Sequence, residues 1–308
     1  MGYPSWYAVE EIDKSIDDTK ELLLPFDLNT WLKMAVIVIF TGGFISGVPA
    51  TGPSDIDYQF EDADFNQGIG DIDEWPDQSF SDSAVLLILG AVGGVFLLFS
   101  YISSVFQFIF FQSVNEKRPR ILSGFKNNWL NGLKYFIYRI LMAGIGIATA
   151  LFLIIGIETG SLSAVLAAFT LMIPVWILMY LISFTINNFT VPRMSTTDSG
   201  FIESTKLAFT GFRDEWKQAG VFILVKIALG IAVITVSGII NLIAVLSIGL
   251  PLAFIAIIAY SILPVLVIPP LILGLIMLML ISLAVAVPLR TYIVQYVLNT
   301  YRKFEPEK

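Results

Sequence analysis

Two basic residues, Arg139 and Lys226, stand inside the apolar runs FIYRILMAGIGIA and ILVKIALGIAVIT and are the side chains of this sequence best placed to do chemistry. A cation inside an apolar helix must either carry its charge back to the headgroups along its own aliphatic stem or meet an anion. Each lies about six residues inside its helix, roughly 9 Å at 1.5 Å per residue, which is within reach of the headgroups. Two readings follow. Both residues mark the inner boundary of the membrane, or they share one anionic site such as a lipid phosphate. A Ser–Lys dyad on Lys226 would need a deprotonated amine and a serine fixed beside it, and the spacing fixes none.

A second polar set lies further along the chain, where Asn241 and Tyr260 precede a stretch punctuated by Pro264, Pro269 and Pro270. Prolines in a membrane segment free backbone groups that must find partners within the protein, so a broken helix here is a candidate site for a neutral or lipid-like solute. Other chemistries are excluded. The 308 residues contain no histidine and no cysteine, which removes imidazole and thiolate chemistry and the metal sites built on them. The apolar cores hold no Asp or Glu, so no carboxylate pair or proton relay can form in them. No glycine motif for cradling a nucleotide occurs. The sequence therefore predicts no catalytic residue, no cofactor and no enzyme. A formal charge of -7 and a pI near 4.7 argue against nucleic acid as a partner.

The elements that must position these residues are membrane helices. The chain is 56% hydrophobic and 14% charged, against about 25% charged in an ordinary soluble domain. Residues 1–33 are acidic, with Trp6, Val9, Ile12, Ile16, Thr19 and Leu23 forming one stripe at helical spacing. This predicts a surface helix ending at Pro25 that docks through that stripe on the protein's own cytoplasmic face, with direct contact to lipid as the alternative. Apolar spans follow at 34–50, 84–112, 133–157, 162–190 and 220–246. The first three carry Gly43-x-x-x-Gly47, Gly90-x-x-x-Gly94 and Gly144-x-x-x-Ala148, spacings that let helix backbones pack closely. Residues 51–83 hold ten acids and no Lys or Arg, which reads as a solvated extracellular cap. Asp71-x-Asp73 continues into Trp75 and Pro76 where a calcium loop needs an oxygen ligand and a glycine, so no metal is predicted. From 248 to 289 there are 42 residues without a charge. That is too long for one straight crossing and, with Arg290, Arg302 and Lys303 following, of the wrong parity for two. The reading is a half-helix near 252–262, a proline break, and a sixth helix at 271–301; a kinked sixth helix is the alternative. Basic connections alternate with basic-free ones, which places both termini in the cytoplasm of a multi-pass cell-membrane protein.

An internal repeat organises these spans. GFKNNWLNGLKYFIYRILMAGIGIA at 124–148 matches GFRDEWKQAGVFILVKIALGIAVIT at 211–235 with one offset of 87 residues, which superposes Trp129 on Trp216 and Arg139 on Lys226. The predicted fold is all-α: one domain over 1–308, six transmembrane helices, built from units of an amphipathic cytoplasmic helix plus two crossings. The second unit spans 115–190 and the third 195–304. The N-terminal unit is a weaker copy with Thr41 at the matching position, so a ring of three charges is not available.

The Gly-Phe-basic-x-x-Trp entry, the basic residue ten positions past the Trp, and the Pro-basic exit at Pro192-Arg193 resemble uncharacterised six-helix integral-membrane families of archaea and bacteria. These are similar to the membrane region found ahead of some glycerophosphodiester phosphodiesterases. The resemblance covers nearly the whole chain and implies no active site, because the soluble barrel of those enzymes has no counterpart here. The expected function is a non-enzymatic scaffold or accessory subunit of a membrane complex, with a channel or transporter for a neutral or lipid-like solute as the alternative. Expected partners are the lipid bilayer, anionic lipid, and a second copy or other membrane subunits.

Overall fold

A computed structural model describes residues 6–42, 82–158, 161–197 and 199–304. Among them are ten α-helices and no strand. α1 (Tyr7–Leu23) and α2 (Leu28–Phe40) meet at a bend of 119°. α3 (Asp82–Asn115) and α4 (Ile121–Glu158) form a long hairpin, and α5 (Leu162–Thr185) leads through a π-helical turn, Ile186–Thr190, into α6 (Val191–Thr196). Then come α7 (Phe201–Asp214), α8 (Trp216–Ala244), α9 (Leu250–Ile262) and α10 (Ile268–Phe304). Among the described residues five helices are long and apolar enough to cross a membrane, six if the bent α1–α2 pair counts as one span. The acidic stretch and Gly43-x-x-x-Gly47 lie outside the described residues, so the expected first crossing is seen only to Gly42.

The two copies of the repeat do not fold alike. In the first, the amphipathic entry and the crossing are one 38-residue helix, α4. In the second, the chain leaves helical geometry at Glu215 (φ -115, ψ 44), which separates α7 from α8. Position 128, where the first copy has Asn in place of Glu215, gives a physical reason. Asn128 is buried and donates to the Gln112 side chain and the Gly124 carbonyl, both at 2.9 Å, which ties the unbroken helix to α3.

Prolines account for the irregular turns. Pro192 and Pro251 each sit two residues after a π-helical turn, Ile186–Thr190 and Val245–Gly249. A proline ring clashes with the carbonyl four residues back and brings no N–H, and widening the turn by one residue relieves both conflicts. The second π turn corrects the expected organisation. The half-helix is present as α9, but the π turn joins it to α8 in one continuous 45-residue run, Trp216–Tyr260. The expected break is present at Leu263 (φ -155, ψ 123) and the 3-10 turn Pro264–Val267. Pro269 and Pro270 occupy the first turn of α10, where an N–H is not needed.

Packing is concentrated at one end of the bundle. The core joins Met34, Ile37 and Val38 to Phe108–Phe111, Phe184–Val191, Phe222 and Val287–Tyr301. Phe222 stacks on Tyr296 at 5.8 Å between centroids, and Phe189 meets Phe212, Phe222 and Phe304 edge-on. This is the basic end, carrying Lys117, Arg118, Arg120, Lys206, Arg213, Lys217, Arg302 and Lys303. The other halves of the helices are splayed. Only 6% of the most apolar window of α4 is buried, a surface that suits hydrocarbon and would fail in water.

The small-residue motifs fall on this splayed part. Among the described residues a Cβ added at Gly90, Gly94 or Gly144 would meet nothing within 4 Å, so these spacings do not pack the described helices together. Close approach occurs instead at Gly132, where a Cβ would stand 2.8 Å from the Cα of Val105, and at Gly124 against Ile109. Gly132→Ala is therefore expected to lose about 1–3 kcal/mol of stability by overpacking, and Gly144→Ala to stay within about 0.5 kcal/mol. Thermal unfolding in one detergent compares them, and equal shifts would contradict the assignment.

α1 docks on α8 and α10, but with only half of its apolar stripe. Ile12 packs against the core and Thr19 and Leu23 are buried, together with Ala8, Glu11, Ser15 and Leu22 from outside the stripe, whereas Trp6, Val9 and Ile16 are exposed. Helical spacing alone cannot separate a stripe that meets protein from one that meets lipid, and here polar pairing with α10 decides. Asn299 donates to Ser15 Oγ at 3.2 Å and to Asp18 at 2.9 Å, Gln295 donates to Asp18 at 3.1 Å, and Tyr296 donates to the Ala8 carbonyl at 3.0 Å.

Candidate functional site

Arg139, Lys226 and Arg290, the basic residues inside the long helices, each find protein partners in a polar layer toward the packed end. Lys226 on α8 is 5% exposed, donates to the amide oxygen of Asn188, and lies 5.3 Å from the centre of the Phe184 ring. Among the described residues no carboxylate pairs with it, so one neutral oxygen and one aromatic face stand beside the amine in an apolar setting. Intramembrane cations with such partners are costly to keep and mark function or architecture.

The π turn is what aims the acceptors. Its consecutive residues Asn187 and Asn188 address two different helices. Asn187 accepts from Tyr135 Oη of α4 at 2.6 Å, and Asn188 accepts from Lys226 of α8. One turn earlier, Ser183 pairs with Tyr138 at 2.7 Å. The layer thus binds α4, α5 and α8 through hydrogen bonds that Leu or Val at these positions would not supply.

Arg139 is half-buried, reaches Ser103 of α3 at 3.4 Å and sits 6.0 Å from the Tyr135 ring centre. Arg139 and Lys226 therefore take separate partners on separate elements, Ser103 and Asn188, and no single group in the layer bridges them. Arg290 of α10 is, with Lys226, the second buried cation among the described residues and donates to the Thr41 carbonyl at the C-terminus of α2, at 3.3 Å. Thr41 occupies the position that the weak N-terminal copy leaves uncharged, and it serves as acceptor rather than as donor of charge. Arg290, Asn187, Asn188 and Ser103 were not singled out by sequence reasoning. The signal for two of them was present, because Asn-Asn inside the apolar run SFTINNFTV is out of place unless it is paired.

The second candidate set separates. Asn241 donates to the Ser237 carbonyl at 2.9 Å and accepts from Ser282 of α10, which makes a polar clasp between the two long helices. Tyr260 is 64% exposed on α9 and stands apart from that clasp. Pro264 opens the 3-10 turn at the hairpin tip, with Pro269 and Pro270 just beyond it. Two hollows, of about 70 and 30 Å³, lie at the basic end, lined by residues remote from the tip.

A family described only as being of unknown function matches residues 6–307. No curated protein and no solved structure matches the chain.

Proposed function

The chain belongs to DUF7544, a family of unknown function, and from the geometry above we propose that it is a non-enzymatic membrane scaffold or accessory subunit. In this reading the protein sits in the cell membrane with its basic end and both termini in the cytoplasm, and its splayed half packs against helices of a partner membrane protein. One observation supports it most. The basic end is closed by a core and a polar layer, whereas Gly90, Gly94, Gly144, Gly230 and Gly238 on the apolar halves leave open space where a Cβ would stand. In lipid, exposed small residues are the places where a second helix can approach most closely. The likeness of the layout to the membrane region ahead of some glycerophosphodiester phosphodiesterases belongs to this reading as topology and brings no activity with it.

The test is purification from native membranes combined with cross-linking. Because the chain has no cysteine, Gly90→Cys and Gly94→Cys give unique attachment points. The expected result is one reproducible adduct from each, and a co-purifying partner that is lost in Gly90→Leu/Gly94→Leu while the melting temperature stays unchanged. A chain that purifies alone, with silent leucine variants, removes the reading. The Asn241–Ser282 clasp within the long hairpin favours the second reading, a pathway for a neutral or lipid-like solute. Uptake into proteoliposomes that falls in Ser282→Ala would put that reading first.

A further inference from the structure

The connection between α3 and α4 is five residues long, 116–120, and its geometry is built rather than slack. Lys117 takes the left-handed conformation (φ 52). Its N–H reaches the Val114 carbonyl at 3.3 Å, and that of Arg118 reaches the Ser113 carbonyl at 3.1 Å, a double cap on the end of α3. Lysine is an unusual residue there, and two ion pairs hold it, to Asp18 at 3.3 Å and to Glu21. Pro119 is buried. Arg118 and Arg120 therefore project from fixed backbone on either side of it.

Beside this connection lies the hollow of about 70 Å³, lined among others by Ser113, Glu116, Arg118, Arg120, Ser123 and Asn127. Ser113 is the telling residue. It is 2% exposed, faces the hollow, and its hydroxyl has no hydrogen-bond partner among the described residues. A buried hydroxyl is normally paired, and a helical serine has the carbonyl four residues back within reach. Arg118 and Arg120 likewise have no carboxylate partner among the described residues, unlike Lys117 beside them. Glu116 is engaged by the Gln112 amide at 2.9 Å. The first turn of α4 closes the hollow. Gly124 is the first residue to make an intrahelical bond, to the Arg120 carbonyl at 3.1 Å, which leaves the N–H groups of Ile121, Leu122 and Ser123 open at the positive end of a 38-residue helix.

We propose that this hollow binds a phosphate-type oxyanion. Ser113, Ser123 and the first N–H groups of α4 donate to its oxygens, and Arg118 and Arg120 carry the opposite charge. The volume is several times what one water needs, enough for a group of four or five heavy atoms. Phosphate chemistry at this place has two sources, the headgroup of an anionic lipid or a soluble phosphate.

The test uses the full chain in nanodiscs of neutral phosphatidylcholine titrated with inorganic phosphate, and in parallel discs containing phosphatidic acid, read by thermal unfolding. Stabilisation is expected, with the apparent affinity about tenfold weaker in Ser113→Ala and in Arg118→Gln/Arg120→Gln. These variants should melt like the parent without ligand, since none removes a hydrogen bond or ion pair. Lys206→Gln and Lys217→Gln, at the same end but outside the hollow, should bind unchanged. An effect of phosphatidic acid alone assigns the site to lipid, and an effect of phosphate alone assigns it to a soluble ligand. No stabilisation by either, or equal losses in the two lysine controls, overturns the site.

Discussion

Asn188→Leu is expected to destabilise the protein by about 3–5 kcal/mol, because it strips a buried ammonium of its acceptor in a region where neither water nor a carboxylate replaces it. Lys226→Met should cost less, about 1–3 kcal/mol, since it leaves only the Asn188 amide unpaired. The double variant, Lys226→Met with Asn188→Leu, replaces both partners by apolar groups and should recover most of the loss. Strong non-additivity is thus the signature, read from denaturant or thermal unfolding of the four proteins in one detergent. Additive losses would show that Lys226 depends on another group. Arg139→Gln should stay within about 0.5 kcal/mol, because Arg139 is half-exposed and its contact to Ser103 is long. The 87-residue repeat makes these residues equivalent in sequence, and the structure makes them unequal in energy.

The second large effect concerns the clamp on α1. Asn299, 1% exposed, donates to both Ser15 and Asp18 and accepts from Gln295. Asn299→Leu should lose about 3 kcal/mol, leaving three buried or half-buried polar groups short of a partner. α1 should then exchange its amide hydrogens faster than α10, and unchanged protection of α1 would refute the clamp. A pH signature accompanies it. Burial works to raise the Asp18 carboxyl, but hydrogen bonds from Asn299, Lys117 and Gln295 outweigh burial and hold it below the ordinary carboxylate value. A depressed carboxyl contributes stability that is complete above its unfolded value, near 4, and is lost as pH falls through the lower folded value. The parent should therefore weaken on acidification below about pH 4, and Asn299→Leu should flatten that limb.

Composition and charge spacing alone determined that this is an all-helical membrane chain, where its long helices run, and that a break falls near Pro264, because apolar length and proline chemistry act locally. They could not determine which faces meet. Trp6, Val9 and Ile16 are as apolar as Ile12 and Leu23 of the same stripe, yet only the latter dock, because Ser15 and Asp18 turn the contact toward α10, whose polar groups gain more from partners than apolar groups gain from leaving lipid for protein. The glycine spacings at 90–94 and 144–148 fit close packing equally well, but packing needs a second helix at that height, and only the positions of the helices together show that none of the described ones stands there. Tertiary structure likewise separated Arg139 from Lys226. Identical places in a repeat gave them the same depth along a helix, whereas the π turn before Pro192 brought an asparagine to one and left a distant serine to the other.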